Sequence, residues 1–141
     1  MKPRCGVATT ALWHSAVAPT YRFEFSRATP DRPALHGSEL PFLFGYLSTE
    51  DLKDPEALKV RDQVQAYWTN FAKTGDPNGP GLPVWRKYDA TNPSMEFVND
   101  GAVARTAVRA VACAPFIEKF TREAAPMVGG AQARLRGGNV K

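Results

Sequence analysis

His36 is the residue in this sequence best suited to acid–base chemistry, because an imidazole takes up and returns a proton near neutral pH. It stands in the segment Leu35-His36-Gly37-Ser38-Glu39, directly before the apolar run Leu40 to Gly45. Glycine permits a sharp turn beside the imidazole, and we expect the aromatic side chains that follow to be buried. From these residues alone, a histidine beside a glycine is more often structural than catalytic, so both interpretations stay open.

The elements before His36 predict that it lies in a loop held by a sheet. Residues 4 to 16 carry apolar side chains at helical spacing, and Pro19 ends that helix. Thr20 to Phe25 alternates aromatic with charged residues, which predicts a strand with one buried and one solvent-facing side. Ser26 to Pro33 contains two prolines and predicts a loop leading to His36. Such loops often carry catalytic or binding residues.

A long amphipathic helix is the best-defined element of the sequence. Asp54 is a typical N-cap, and Pro55 suits the first helical position. An apolar stripe follows at helical spacing and ends at Gly75; its members are Val60, Val64, Tyr67, Trp68 and Phe71. Gly75 to Gly81 predicts a series of turns. It does not resemble a phosphate-binding loop, since no Gly-Lys-Ser/Thr follows and no strand leads into it.

The C-terminal region predicts one short strand and a second helix. Met95 to Val98 has strand character and is closed by Asn99-Asp100-Gly101. From about Val103 to Thr121, apolar residues recur at helical spacing and predict an amphipathic helix. Pro115 lies inside it and should bend or break the helix near Val111, whose carbonyl it would crowd.

Composition excludes several classes of protein. A chain of 141 residues suits one modest domain, and its 11 glycines and 12 prolines indicate a loop-rich α and β protein. The net charge of +4 is spread along the chain, apart from Arg134, Arg136 and Lys141. These lie in residues 123–141, for which we expect a flexible tail; the alternative is a basic nucleic-acid-binding arm. No apolar run approaches the roughly 20 residues of a membrane span.

The N-terminus and the two cysteines each allow two interpretations. Met1 to Arg4 is basic and Ala16-Val17-Ala18 resembles a cleavage site, but the apolar stretch between them is weak. We therefore expect a short helix, with a signal peptide as the alternative. Cys5 and Cys113 have no His or Cys at zinc-like spacing, so we expect no metal site. The spacing alone leaves free thiols and a disulfide equally open.

Two segments resemble the type-B carboxylesterases, the family that includes cholinesterases and para-nitrobenzyl esterases. Leu35 to Gly45 resembles the family's histidine segment. Tyr67 to Asn78, followed by Pro83 and Trp85, resembles its helix-and-turn signature. The spacing between these segments, the strand near Met95 and the helix after Arg109 also fit.

This resemblance covers roughly residues 4 to 121 and implies an α/β fold, the C-terminal part of an α/β-hydrolase. Residues 1–122 would then be the C-terminal portion of a carboxylesterase domain, incomplete on their own. The resemblance also implies that Cys5 and Cys113 form a disulfide between the first and last helices. A disulfide would place the parent protein in a secreted or periplasmic setting, and free thiols would place it in the cytoplasm.

The resemblance assigns His36 as the base of a catalytic triad, with Gly37 and Glu39 supporting its loop. We interpret Glu39 as a local hydrogen-bond partner and not as the triad acid. In this fold the triad follows the order Ser, Asp or Glu, His, so the nucleophile and acid should lie upstream of Met1. None of the five serines stands in G-x-S-x-G, and Ser38 is too close to His36 to be its nucleophile.

The implied function is that of a fragment of a serine carboxylic-ester hydrolase, which acts on small carboxylic esters without cofactor or metal. We expect the isolated chain to be inactive and to associate with the missing N-terminal portion of the fold, or to aggregate alone. One alternative is a noncatalytic, cholinesterase-like binding domain. Another is an unrelated small basic binding protein. We expect no nucleic-acid partner and no membrane span.

Overall fold

The computed structural model describes residues 3–89, 91, 93–107 and 110–136, and the side chains of these residues between 5 and 123. Four α-helices and three β-strands occur in this part of the chain, together with a short 3-10 helix at Asp51–Lys53. In chain order the main elements are α1 (Pro3–Ser15), β1 (Phe23–Phe25), α2 (Leu40–Phe44), α3 (Pro55–Thr74), β2 (Ser94–Val98), β3 (Gly101–Arg105) and α4 (Ala110–Arg136).

The strands form one mixed sheet in the order β1-β2-β3. β1 pairs with β2 in parallel, with Phe23 opposite Met95, and β2 pairs with β3 in antiparallel. Val98 lies opposite Gly101, so only Asn99 and Asp100 connect β2 to β3. The prediction that a helix begins near Val103 is wrong, because that residue lies in β3. A two-residue hairpin loop lets β3 return along β2, and this pairing overrides the helical spacing.

The core forms where α3 packs against the sheet. Val60, Val64 and Tyr67 of the predicted stripe are at most 1% exposed, and they meet Met95 and Phe97 of β2, which are equally buried. Burying each large apolar side chain stabilises the fold by about 1.5 to 3 kcal/mol. Burial of the stripe decreases toward the C-terminal end of α3, where Trp68 is partly buried and Phe71 is 48% exposed. The helix bounds are confirmed, with Asp54 as N-cap and Gly75 as C-cap.

β1 is shorter than predicted, and its polar side is not open to solvent. Tyr21, Phe23 and Phe25 pack partly against the core, as the alternation predicts, but Arg22 is only 4% exposed. On this side the Tyr88 side chain forms a hydrogen bond with Arg22. The Tyr88 N–H donates to the Thr20 carbonyl at 2.7 Å. A neighbouring segment distant in sequence therefore covers Arg22, which the alternating pattern placed in water.

A disulfide joins the first helix, α1, to the last helix, α4. Cys5 on α1 and Cys113 on α4 are bonded, with their Cα atoms 5.2 Å apart and both residues 2% exposed. This confirms the pairing that the family resemblance implied. The Trp13 indole adds a hydrogen bond of 3.4 Å to the Thr121 hydroxyl, again between α1 and α4.

The C-terminal helix differs from the prediction in its bounds. α4 begins at Ala110 and runs without interruption through Pro115, so the expected break is wrong. Pro115 lies in the second turn of the helix, where its missing N–H leaves the Val111 carbonyl without its usual helical donor. The assigned helix also continues past Pro126 to Arg136, although a tail was expected from residue 123. Flexibility of residues 123–141 stays a prediction, and residues 137–141 lie outside the described part.

Across the residues described above, no helix combines the length and the apolar character that crossing a membrane requires.

Candidate active site

His36 lies at the start of a tight turn, residues 36–39, between the loop that follows β1 and the first residue of α2. The residue is exposed. Gly37 next to it has φ +86°, in the left-handed region that favours glycine. A Cβ on Gly37 would lie 3.6 Å from Leu40 Cδ1, an ordinary contact. The backbone conformation, and not lack of space, therefore explains the glycine beside His36.

The turn is closed by Ser38 and not by Glu39. The Ser38 hydroxyl oxygen accepts a hydrogen bond of 2.9 Å from the Leu35 N–H, and the Leu40 N–H donates to the Gly37 carbonyl at 3.0 Å. Within the described chain the Glu39 carboxylate has no hydrogen-bond partner, and it does not cap α2. The support roles of Gly37 and Glu39 in the intact site stay predictions.

The aromatic run after His36 is only partly buried. Phe42 is 6% exposed, and its ring packs against Phe25 at a centroid distance of 5.1 Å. Phe44, two residues on, is 69% exposed, and Leu40 is 39% exposed. The expectation of burial therefore holds for Phe42 and is wrong for Phe44. In a helix of five residues, one side chain can face the core while its neighbour on the opposite side faces solvent.

Two arginines of the loop before His36 form a network of ion pairs with the start of α3. Arg32 donates to both carboxylate oxygens of Asp51, at 2.8 and 3.0 Å. Arg27 is 7% exposed and donates to the Asp54 carboxylate and to the Asn99 carbonyl. Its Nη2 also lies 3.9 Å from Asp51 Oδ1. A planar guanidinium suits such two-point contacts with carboxylates.

The network keeps both of its carboxylates ionised. The hydrogen bonds from Arg32 hold the pKa of Asp51 below its usual range, although burial of Asp51 opposes this. Burial alone would raise the pKa of Asp54 as well. Hydrogen bonds from the Glu56 N–H and from Arg27 outweigh that effect, so the pKa of Asp54 is also lowered. The Ser48 hydroxyl adds a hydrogen bond of 2.8 Å to Asp51 Oδ2.

A cavity of about 320 Å³ opens between this network and the turn that carries His36. Its walls include Phe25, Arg27, Arg32, Ser38, Tyr46 and Asp51. The two arginines already form ion pairs, so their positive charge is largely compensated inside the cavity. Throughout the described residues there is no group of three side chains that could hold a metal ion.

The sequence predicts His36 as a candidate residue but contains little sign of the contacts that hold its loop. Arg27, Arg32 and Asp51 are 24 residues apart at most, but only folding shows which carboxylate each arginine meets. One signal was available: Ser48 and Asp51 have the spacing of a local hydrogen-bonded turn, here with the Asp51 N–H donating to the Ser48 hydroxyl oxygen at 3.1 Å.

The turn brings His36 together with Gly37, Ser38 and Glu39. Among the described side chains, no serine and no carboxylate forms a hydrogen bond to the His36 ring. An exposed imidazole of this kind can accept a proton, but a catalytic base also needs a nucleophile and a group that orients its ring.

Comparison with known sequences identifies the family of this chain. The sequence model of the carboxylesterase family matches residues 2–114, a range that includes β1, the turn with His36, α3 and the whole sheet. The chain belongs to the carboxylesterase family. Rat (Rattus norvegicus) liver carboxylesterase 1F is 35% identical over 102 residues, which is 67% of this chain and 18% of that protein. Dog (Canis lupus familiaris) carboxylesterase 5A is 38% identical over 107 residues, 65% of this chain and 18% of that protein.

Solved carboxylesterases share the fold of this family member. A thermophilic pNB esterase superposes with a TM-score of 0.62 over 73% of this chain and 23% of its own, at 24% identity. A carboxylesterase of Geobacillus stearothermophilus gives a TM-score of 0.53 at 27% identity, over 66% of this chain and 21% of its own. These likenesses identify the architecture as part of an α/β-hydrolase fold. This carboxylesterase segment spans about a fifth of the length of the curated relatives it matches.

Proposed function

We propose that this segment supplies the general base of a serine carboxylesterase, and that His36 is that base. The observation that carries the proposal is the position of His36, an exposed imidazole on a glycine-assisted turn directly after the loop that leaves β1. Residues at such a position are held by the sheet and remain accessible to a substrate. Membership of the carboxylesterase family supports carboxylic esters as the substrate class.

In this proposal the His36 ring moves one proton twice. One ring nitrogen accepts the proton of a serine hydroxyl as its oxygen attacks the ester carbonyl, and returns the proton to the departing alcohol. A water molecule then attacks the acyl-enzyme, and His36 accepts and returns a proton again. The second ring nitrogen donates to a buried carboxylate that orients the ring. Both the serine and this carboxylate would come from the N-terminal portion of the fold, upstream of Met1.

The isolated chain should not hydrolyse esters beyond the rate of a free imidazole. Serine hydrolases that lose triad residues retain rates about 10³ to 10⁴ above water because of their oxyanion hole and substrate binding. In the proposal these features also belong to the preceding portion. The purified chain and its His36→Ala variant should therefore hydrolyse para-nitrophenyl acetate no faster than imidazole at equal concentration. If the purified chain hydrolysed the ester well above that rate, and if His36→Ala abolished this hydrolysis, the proposed need for the preceding portion of the fold would be refuted.

The role of His36 itself is tested in a complete enzyme. Reading the DNA upstream of the Met1 codon establishes whether the frame continues through G-x-S-x-G, and that longer chain is the protein to assay. There, His36→Gln should lower kcat by about 10³-fold or more and leave the circular dichroism spectrum unchanged. The control is His14→Gln. His14 precedes β1 in the chain, and its ring forms a hydrogen bond of 2.7 Å with the Thr20 hydroxyl. Full activity of His36→Gln would exclude His36 as the base.

The same proposal assigns the preceding portion of the fold as the partner of this segment. Leu35, Phe44 and Tyr46 near His36 are 68%, 69% and 59% exposed, and β1 is one of the two edge strands of the described sheet. An edge strand beside apolar surface favours association with another polypeptide. Co-expression with the preceding portion should give a soluble complex, whereas the chain alone should elute from size exclusion as an oligomer. A monodisperse monomer with a cooperative melt would contradict this.

A further inference from the structure

We propose that Asp51 and Gln65 hold the two ends of the His36 loop and so set the position of its imidazole. The inference rests on the proposed function, in which His36 is the base. Neither residue would touch the substrate, so both are positioning residues. Two sets of contacts attach the loop to the rest of the fold, one before His36 and one after it.

The contact before His36 is made by Asp51. Residues 29–32 form a tight turn in which Thr29 and Arg32 exchange backbone hydrogen bonds of 2.9 and 3.1 Å. The Arg32 side chain then leaves this turn and donates twice to Asp51, which is 5% exposed and is also bonded by the Ser48 hydroxyl. His36 follows Arg32 by four residues. The loop is therefore fixed to the 3-10 helix Asp51–Lys53, which directly precedes α3, just before it reaches the imidazole.

The contact after His36 is made by Gln65. Its Nε2 donates to the carbonyl oxygens of Phe42 and Leu43, at 3.2 and 3.3 Å. A helix of only five residues leaves most of its carbonyls without partners inside the helix, and α2 is such a helix. The Gly45 N–H donates to the Pro41 carbonyl at 2.9 Å and ends α2, and Gln65 donates to the next two carbonyls. α2 is thereby fixed to the middle of α3.

The 3-10 helix Asp51–Lys53 and α3, which follow each other directly in the chain, thus hold the two ends of the loop that carries His36. The imidazole itself is exposed and has no hydrogen bond to any other described residue, so nearby packing does not set its position. Hydrogen bonds inside the turn, from the Leu35 N–H to the Ser38 hydroxyl and from the Leu40 N–H to Gly37, shape it locally but do not attach it to the rest of the fold. The attachment comes from α3 and the residues at its start.

The attachment is tested by amide hydrogen exchange, measured by mass spectrometry on the 141-residue chain. Asn70→Ala is a matched control for Gln65→Ala. Asn70 is also an amide of α3, and its Nδ2 donates to two loop carbonyls, those of Pro77 and Asn78, at 3.2 and 3.3 Å. Asp51→Asn keeps the size of the side chain and removes its charge.

Exchange in residues 33–46 should become about fivefold faster in Asp51→Asn and in Gln65→Ala, the change expected for one lost hydrogen bond. Asn70→Ala should accelerate residues 75–81 and leave 33–46 unchanged. Unchanged exchange of 33–46 in Asp51→Asn and Gln65→Ala would overturn the inference. Equally faster exchange of residues 33–46 in Asn70→Ala would also overturn the inference, because it would indicate that the whole chain opens more readily.

The consequence for His36 is measured in the complete enzyme. A misplaced base lowers kcat by about 10²-fold and has little effect on substrate binding. Gln65→Ala and Asp51→Asn should therefore lower kcat with KM unchanged, whereas Asn70→Ala should alter neither. Faster exchange with an unchanged kcat would overturn the positioning role. Full activity of His36→Gln would reject the proposed function alone, and the exchange result would still report on the attachment.

Discussion

The Trp85 indole and the Met95 N–H both donate to the carbonyl oxygen of Arg22, at 3.0 and 2.9 Å. A carbonyl oxygen has two lone pairs and can accept both hydrogen bonds. Through this one carbonyl oxygen, β2 and the distant segment around Trp85 are both hydrogen-bonded to the residue directly before β1. This is the same segment that covers Arg22.

Replacement of Trp85 by phenylalanine should lower the free energy of unfolding by about 1 to 3 kcal/mol, through the lost hydrogen bond and the reduced side-chain volume. Trp85 is 5% exposed, so water cannot readily replace the indole as donor to Arg22. Urea denaturation provides the measurement. Trp68→Phe is the control, because Trp68 is only partly buried. Equal losses in the two variants would show that ring volume, and not the hydrogen bond, is responsible.

The stability of the chain should fall in acid because Asp51 loses its charge. The pKa of Asp51 is lowered in the folded state by Arg32, below the value of about 4 that it has when unfolded. Its ion pair therefore stabilises the fold fully above that value, and the stabilisation disappears as the pH falls through the folded pKa. Asp51→Asn should be less stable at pH 7, and its stability should change less below pH of about 4. Asp62→Asn, whose ion pair with Arg61 is on the surface, should retain the acid-dependent loss.

Reduction of the disulfide should destabilise the chain. It closes a loop with a sequence separation of 108, for which the loss of unfolded-state entropy corresponds to about 4 to 5 kcal/mol. A phosphine reductant should lower Tm and should also make α4 more accessible to protease, because α4 meets α1 at this bond. The double variant Cys5→Ser, Cys113→Ser should melt at the lower temperature with or without reductant. If the reductant still lowered the Tm of this variant, the effect would not come from the disulfide.

Gly37→Ala should cost about 1 kcal/mol, because alanine is strained at φ +86° although it fits the available space. Asparagine tolerates the left-handed region better, so Gly37→Asn should recover part of that loss. Both values come from thermal or urea unfolding. If the two variants were equally destabilised, contact with Leu40, and not the backbone conformation, would be the cause.

The two aromatic residues of α2 should respond differently to truncation. Phe42→Ala should cost about 3 to 5 kcal/mol, because Phe42 is 6% exposed and packs against Phe25. Phe44→Ala should change the stability of the chain by less than about 0.5 kcal/mol, because Phe44 is 69% exposed. It should also reduce self-association on size exclusion. A large loss of stability in Phe44→Ala would indicate that its ring is buried in solution.

Local signals predicted α1, α3 and the loop position of His36. The Asp54 N-cap, Pro55 and Gly75 marked both ends of α3, because capping depends on neighbouring residues of the chain. The family resemblance added the disulfide between Cys5 and Cys113, which distance along the sequence alone had left open.

Contacts between distant segments decided the rest. β3 replaced the start of a predicted helix because Val103 pairs with Glu96 across a two-residue loop. Arg22 became buried, Phe44 stayed exposed, and Asp51 and Gln65 met the loop around His36, since each outcome depends on which segment packs nearby. Periodicity and caps act within a few residues of the chain and therefore specify helices and turns. Burial and ion pairing depend on neighbours in space, which exist only once the sheet and α3 have assembled.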